Sequence, residues 1–319
     1  MEADLPVIEV VAGVITDARG RVLLARRTEG RDLAGLWEFP GGKREAEESA
    51  EEALVRELRE ELGIDVDPGA PLITVPQRYP HKRLRLDVRR ITTWRGIAKG
   101  HEGQALAWVP PHKLVGYAMP PADIPVVAAL LQPDRYLVTP EPGAEDAPWL
   151  HMLERALATH TVKRVQLRAP GCPAARWAGL AREATRLCQQ AGAEVLLNGD
   201  PLLAAKLGVG VHLRAAQLRT LTQRPMPAGV PVAASCHDAG ELQLAQALGC
   251  DFAVLGPVGA TASHPGVPAM GWAGFAKLRE DVSLPIYAIG GMSAGHIEIA
   301  RQHGAQGVAA IRGLWSDSP

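Results

Sequence analysis

Apolar residues gather early in the chain into two β-type runs, residues 7–16 (VIEVVAGVIT) and 21–27 (RVLLARR). The turn-forming stretch 17–20 between them predicts a hairpin. A polar loop follows at 28–35, then LWEFPGGK at 36–43. Residues 49–62 contain neither Gly nor Pro and are rich in Ala, Leu, Glu and Arg, so they predict a helix that Gly63 ends. Residues 72–79 and 83–94 read as paired strands, the second alternating basic and apolar side chains over 83–88. A short strand at 105–109 and an apolar helix at 124–131 complete a mixed α+β pattern.

From Arg135 the pattern changes. Short apolar runs at 136–139, 165–168, 194–198, 211–213, 230–234, 252–255, 286–289 and 307–311 alternate with helix-like stretches such as 174–191, 240–248 and 294–303. Eight strands alternating with helices predict a parallel (βα)8 barrel of the TIM type, tightly built and with little chain left for a last helix. Nine prolines fall between Pro110 and Pro148, which places loops and a boundary there. The cut at Gln132-Pro133-Asp134 divides the chain into domains 1–132 and 133–319. These are expected to be an α+β fold with a mixed sheet and flanking helices, followed by an α/β barrel.

Composition narrows the function. A formal net charge of −1 gives no long-range attraction to DNA or RNA, and 4% aromatic content offers no base-stacking surface. The four cysteines, Cys172, Cys188, Cys236 and Cys250, show no C-x-x-C spacing and are expected as buried thiols. No apolar run reaches membrane-spanning length, and the N-terminus lacks a basic leader, so a soluble cytoplasmic protein is expected.

The helix at 49–62 carries the chemistry. At about 100° per residue, Leu54, Leu58 and Leu62 form one apolar stripe, and Glu57, Glu60 and Glu61 crowd a neighbouring arc. Like charges so placed repel. A hard divalent cation relieves that repulsion, and oxygen ligands suit Mg²⁺ or Mn²⁺. Arg56 and Arg59 are further candidates to relieve it.

Gly42, Glu48, Arg56, Glu57, Leu58, Glu60, Glu61, Gly63 and Ile64 fill the pattern G-x5-E-x7-R-E-(apolar)-x-E-E-x-G-(apolar). This resembles the Nudix box. With WEFPGGK and HEGQ at 101–104, residues 7–131 resemble the MutT-type 8-oxo-dGTP diphosphatases. The resemblance implies hydrolysis of a nucleoside triphosphate by metal-activated water, with release of monophosphate and pyrophosphate and removal of an oxidised nucleotide before a polymerase uses it. It implies divalent-metal binding by Glu57, Glu60, Glu61 and the Gly41 carbonyl, joined by Glu102. Arg56 belongs to the catalytic set, and Glu57 or Glu102 is the general base. Arg27, Phe39 and Lys82 are implied as substrate contacts. Asp123 stands where the family has an asparagine that reads the purine edge. An ionised Asp only accepts hydrogen bonds, so it would offer no donor to guanine O6.

The second half resembles thiamin phosphate synthase and the TenI-type tautomerases, through VQLR at 165–168, VHLRAAQL at 211–218, LGPV at 255–258, AIGG at 288–291 and GVAAI at 307–311. Arg168, Gly290, Gly291 and Arg312 are the candidate phosphate site, and a thiamin-type phosphate is the implied ligand. The departures are specific. Ala169 and Pro170 follow Arg168 where the synthase has a lysine. The acid of its N-D motif is displaced to Asp200, its Q-E-D-L acid is replaced in Ala215-Ala216-Gln217-Leu218, and His264 replaces a lysine. Full synthase activity is therefore not expected. His212, His237 and His264 are candidates to meet at the barrel mouth, one as an acid or base. The alternative readings are a Nudix hydrolase of thiamin-pathway pyrophosphates, or a barrel that senses a thiamin-type phosphate and regulates the other half.

Overall fold

A computed structural model describes residues 5–260 and 268–315. The chain divides into two compact units. One runs through Gln132 and includes Glu280–Ser283 and Arg301–Gly304; the other takes the remainder from Pro133.

In the first unit β1 (Val7–Ile15), β2 (Val22–Arg26), β3 (Trp37–Glu38) and β4 (Gly41–Lys43) precede helix α1 (Ala50–Leu62). Then come β5 (Asp65–Val66), β6 (Pro71–Tyr79), β7 (Lys82–Ile91), β8 (Trp94–Arg95), β9 (Leu106–Val109) and helix α2 (Ile124–Leu131). The main sheet has the order β4-β1-β7-β6, with β1 parallel to β7 and the other pairs antiparallel. A second sheet has the order β3-β2-β9. The hairpin expectation is corrected here. The turn forms, with Asp17 N–H donating to the Arg21 carbonyl, but only the bridge Thr16–Val22 joins the two runs before they diverge into different sheets. The turn is local, whereas the partner is chosen by packing: Leu23 joins the cluster under α1, and Leu24 joins the opposite one.

β1 shows how the two cores are separated. Val11 and Ile15 pack with Leu54, Leu58 and Leu62 of α1, while Ala12 and Val14 face Phe39, Val75 and Val126. This is the period-two alternation of a strand buried on both faces. Leu54, Leu58 and Leu62 are fully buried, each stabilising the fold by about 1.5–3 kcal/mol. Ser49 caps α1 through a capping box with Glu52, and Gly63 closes it in the left-handed conformation at φ 67°.

The second unit is a closed barrel of parallel strands β10 (Arg135–Val138), β11 (Arg164–Leu167), β12 (Glu194–Asn198), β13 (Gly210–Leu213), β14 (Val232–Cys236), β15 (Phe252–Leu255), β16 (Ile286–Ile289) and β17 (Gly307–Ala310). The strand expected at 230–234 begins at Val232, because Pro231 has no N–H for the ladder. The helix expected over 294–303 splits into a 3-10 turn, Ala294–His296, and a helix, Ile297–Gln302. The proline-rich boundary also contains the start of a helix, Asp146–Thr159. Pro148 lies in its first turn, where a missing N–H costs nothing. Tyr136, Phe252 and Tyr287 fill the barrel, and the Arg164 guanidinium lies 4.2 Å from the Phe252 ring centroid while donating to the Tyr287 hydroxyl at 2.8 Å. Cys188, Cys236 and Cys250 are buried, whereas Cys172 is only half-buried. Among the described residues no helix is long and apolar enough to cross a membrane.

Candidate active site

The buried leucine stripe fixes the rotation of α1 and therefore the direction of its acids. Glu57 and Glu61 are largely covered, with side chains 14% and 11% exposed, while Glu60 at 61% points to water. Arg56 braces this face. Its Nε and Nη2 grip Glu48 at 2.7 and 2.9 Å, its Nη1 reaches Glu57 at 2.9 Å and Glu60 at 3.3 Å, and Nη2 also donates to the Lys43 carbonyl at 3.0 Å. The guanidinium holds the Glu48 carboxyl down to about 2. Arg59 takes no part in relieving the acid repulsion, since it turns away to Asp65 at 2.7 Å.

The turn before α1 fits closely under Glu57. A Cβ on Gly42 would lie 2.2 Å from the Glu57 carboxyl carbon, and one on Gly41 (φ 154°) would lie 2.0 Å from the Val11 carbonyl oxygen. The loop bearing Glu102 closes over the end of α1. His101 N–H and the Gln104 amide both donate to the Glu61 carbonyl, at 2.9 and 3.2 Å, and Glu102 N–H donates to Gln104 Oε1 at 2.8 Å. Burial, followed by the charge of Glu102, pushes the Glu61 carboxyl up to about 7, while Arg31 pulls it back.

Among the described residues, no three acidic, histidine or cysteine side chains already converge as a ready-made metal cage. The donor chemistry nevertheless fits a hard cation. Glu57, Glu61 and Glu102 are oxygen donors whose charges oppose one another at Glu61, and the missing side chain at Gly42 leaves the cradle that the Glu57 carboxyl fills.

The remaining candidates lie just after β2 and β3, at the start of β7 and in the turn before α2. Arg27 forms an ion pair with Glu38 and donates from Nε to the Asp32 carbonyl at 2.6 Å. Lys82 pairs with Asp32 at 2.6 Å and lies 5.6 Å from the Tyr79 ring centroid. Phe39 is 3% exposed within the core, and its N–H donates to Asp123 Oδ1 at 3.3 Å. Asp123 corrects the sequence reading. Burial first, then the charge of Glu38, pushes its carboxyl up to about 8 against the weaker pull of the Phe39 N–H and Arg27. That shift favours the protonated form at neutral pH, which has an O–H to donate as well as an oxygen to accept. Two neighbours escaped sequence reasoning. Glu38 lies inside the WEFPGGK motif, which was a usable signal; Arg31 lies in a loop and carried none.

In the barrel, His212 is fully buried and bonded on both sides, to the Tyr136 hydroxyl at 3.0 Å and the Ser235 hydroxyl at 2.8 Å. Burial pushes its imidazole down to about 3, which favours the neutral ring near pH 7. His237 instead pairs with Glu241 at 2.9 Å, so these two histidines have separate partners. His264 lies outside the described residues. Gly290 and Gly291 turn at the end of β16 with φ 104° and 68°, Arg168 follows β11, and Arg312 opens the short helix Arg312–Trp315 after β17. All four stand beyond strand C-termini, the face where barrels place their sites.

A family model described as NUDIX domain matches residues 11–129, and one described as Thiamine monophosphate synthase matches residues 135–314. The CTP pyrophosphohydrolase of Escherichia coli is 42% identical over 127 residues, covering 40% of this chain and 93% of that protein. The 8-oxo-dGTP diphosphatase of Haemophilus influenzae is 41% identical over 129 residues, covering 40% and 94%. The chain is a Nudix hydrolase fused to a barrel of the thiamine monophosphate synthase family. For the barrel, the thiamine-phosphate synthase of Thermus thermophilus is 36% identical over 180 residues, covering 56% of this chain and 86% of that one.

The Nudix half is a hydrolase of pyrophosphate bonds, of a family that generally uses divalent cations. In the synthase-type half, the displaced acid serves local structure. Asp200 caps the helix Pro201–Leu207 by accepting from Leu203 N–H at 2.9 Å, and Gln217 accepts from Arg214 N–H at 2.9 Å while donating to the Gly199 carbonyl at 3.2 Å.

Proposed function

We propose that the Nudix half is a Mg²⁺-dependent nucleoside triphosphate diphosphatase that cleaves 8-oxo-dGTP, ahead of dGTP, to the monophosphate and pyrophosphate, and so keeps an oxidised nucleotide from a polymerase. Glu57, Glu60, Glu61, Glu102 and the Gly41 carbonyl would hold the ion. Once bound, it supplies charge neutralisation and Lewis acidity at the phosphates. Glu57 or Glu102 takes the proton of the attacking water, and Arg56 keeps Glu57 in place. Arg27 and Lys82 serve the phosphate and sugar, with Phe39 and Asp123 against the base.

The observation carrying the base assignment is the burial of Asp123 beside Phe39, which raises its carboxyl toward the protonated form. A group that both donates and accepts matches an edge that does the same. The 8-oxopurine offers O6 as acceptor and N7–H as donor, whereas unmodified guanine offers two acceptors there. Cytosine, with N3 and its amino group, also suits a neutral acid, so it belongs in the test. An ionised Asp123 would instead favour the paired donors N1–H and N2–H, which guanine and 8-oxoguanine share, and so would not tell them apart.

The test is turnover with Mg²⁺ on 8-oxo-dGTP, dGTP, dCTP, CTP and a thiamin-pathway diphosphate, with products identified. Preference for 8-oxo-dGTP over dGTP is expected at pH 7, and it should fall as pH rises through about 8. A ratio of kcat/KM values cancels titrations common to both substrates. Asp123→Asn cannot ionise, so it should lose this trend; substrate ionisation is shared by both enzymes. Stability carries the same sign. The raised acid contributes stability that is present below the unfolded value near 4 and lost as pH rises through about 8. Preference for cytidine nucleotides at every pH would overturn the sanitising role.

For the barrel we infer binding of a thiamin-type phosphate at Arg168, Gly290, Gly291 and Arg312 rather than synthase turnover. The local capping roles of Asp200 and Gln217 support this reading. Thiamin phosphate at about 100 times its Kd should add about 2.7 kcal/mol to barrel stability, read as a rise in its melting transition of the full chain. No rise at millimolar ligand would reject it.

A further inference from the structure

Arg31 has no part in the sequence motif, yet its guanidinium lies among the acids. Its Nη1 stands 3.5 Å from Glu61 Oε1 and its Nη2 forms an ion pair with Glu102. Its charge also acts on Glu38, which feels Glu102 as well. Acids from two separate segments, α1 and the loop 100–104, therefore contact one cation, and Glu38 of β3 feels its charge.

The placement is built into the fold. The loop bearing Arg31 is closed at its base, where Gly35 N–H donates to the Arg27 carbonyl at 3.0 Å and Arg27 N–H to the Leu36 carbonyl at 2.9 Å. The loop bearing Glu102 is pinned to the last turn of α1 by Lys99 N–H to the Leu62 carbonyl at 3.0 Å and by His101 N–H to that of Glu61. An ion pair between two half-exposed groups alone would count for little. The case differs because Glu61 is mostly covered and is shared with Glu102 by one planar, multi-donor group.

We propose that Arg31 is the stand-in cation of the carboxylate site, holding Glu61 and Glu102 together until a divalent ion displaces it. This rests on the metal reading above. Removing Arg31 has two consequences of opposite sign. The metal-free site loses its counter-charge and is left with facing carboxylates. An incoming divalent ion loses a competitor and meets a more negative site, with about tenfold tighter binding expected from one unit charge at this range.

The experiment is Mn²⁺ binding by electron paramagnetic resonance or calorimetry on the nucleotide-free full chain, beside thermal melting with and without the ion. Arg31→Ala should bind Mn²⁺ about tenfold more tightly than the wild type. It should melt lower without metal and regain the wild-type transition at saturating Mn²⁺. Arg31→Lys, whose ammonium keeps the charge without the fork, should fall between. Unchanged or weaker Mn²⁺ binding by Arg31→Ala, or a melting deficit that persists at saturation, overturns this role while leaving the metal site standing. A wild-type protein that takes up no Mn²⁺ overturns both.

Discussion

Glu57→Gln is expected to lower turnover by about 10²- to 10⁴-fold while leaving the fold intact, as losing a positioned proton acceptor and anionic ligand implies. The amide has nearly the same shape, so it can remain over Gly42 and keep a hydrogen bond from Arg56 Nη1. What disappears is the negative charge. Pyrophosphate release measured under saturating Mg²⁺, beside a melting curve, separates chemistry from stability. A variant that turns over within threefold of the wild type would remove Glu57 from the reaction.

The second large effect comes from the two glycines before α1, which fail for different reasons. At Gly41 a methyl group would meet backbone: the Val11 carbonyl oxygen at 2.0 Å and Ala12 Cα at 2.7 Å, in a conformation L residues rarely adopt. Overpacking and backbone strain each cost about 1–3 kcal/mol, so Gly41→Ala should destabilise the first unit by several kcal/mol. At Gly42 the three nearest atoms the methyl would meet all belong to the Glu57 carboxyl, the end of a flexible side chain. Gly42→Ala should therefore melt close to the wild type yet lose about 100-fold in turnover, because a displaced catalytic group is costly even at about 1 Å. Both transitions can be followed by calorimetry. Equal melting for the two variants would sink the distinction.

Much of this architecture can be read from periodicity. The stripe Leu54, Leu58, Leu62 and the stop Gly63 set α1 to within a residue, because both signals are local. The barrel is legible because its strands are short, largely apolar and separated by helices. The first-unit sheets are less so. Whether residues 22–26 pair with β1 or with β9 depends on which core each side chain enters, and a turn sequence does not encode that. The same limit applies to chemistry. Glu57, Glu60 and Glu61 stand out by spacing within one helix. The placing of Arg31 beside Glu61 and Glu102 and the burial of Asp123 arise only where distant segments meet. An acid 84 residues from the amide it accepts from carries no sign of its burial in the sequence.

The contact between Gly42 and Glu57 also constrains how the site can change over evolutionary time. A side chain can be admitted at 42 only if the acid at 57 retreats, for example by shortening to aspartate, and neither step alone preserves the arrangement. The pair is therefore an epistatic lock: the double variant should recover more than its two parents' losses would suggest.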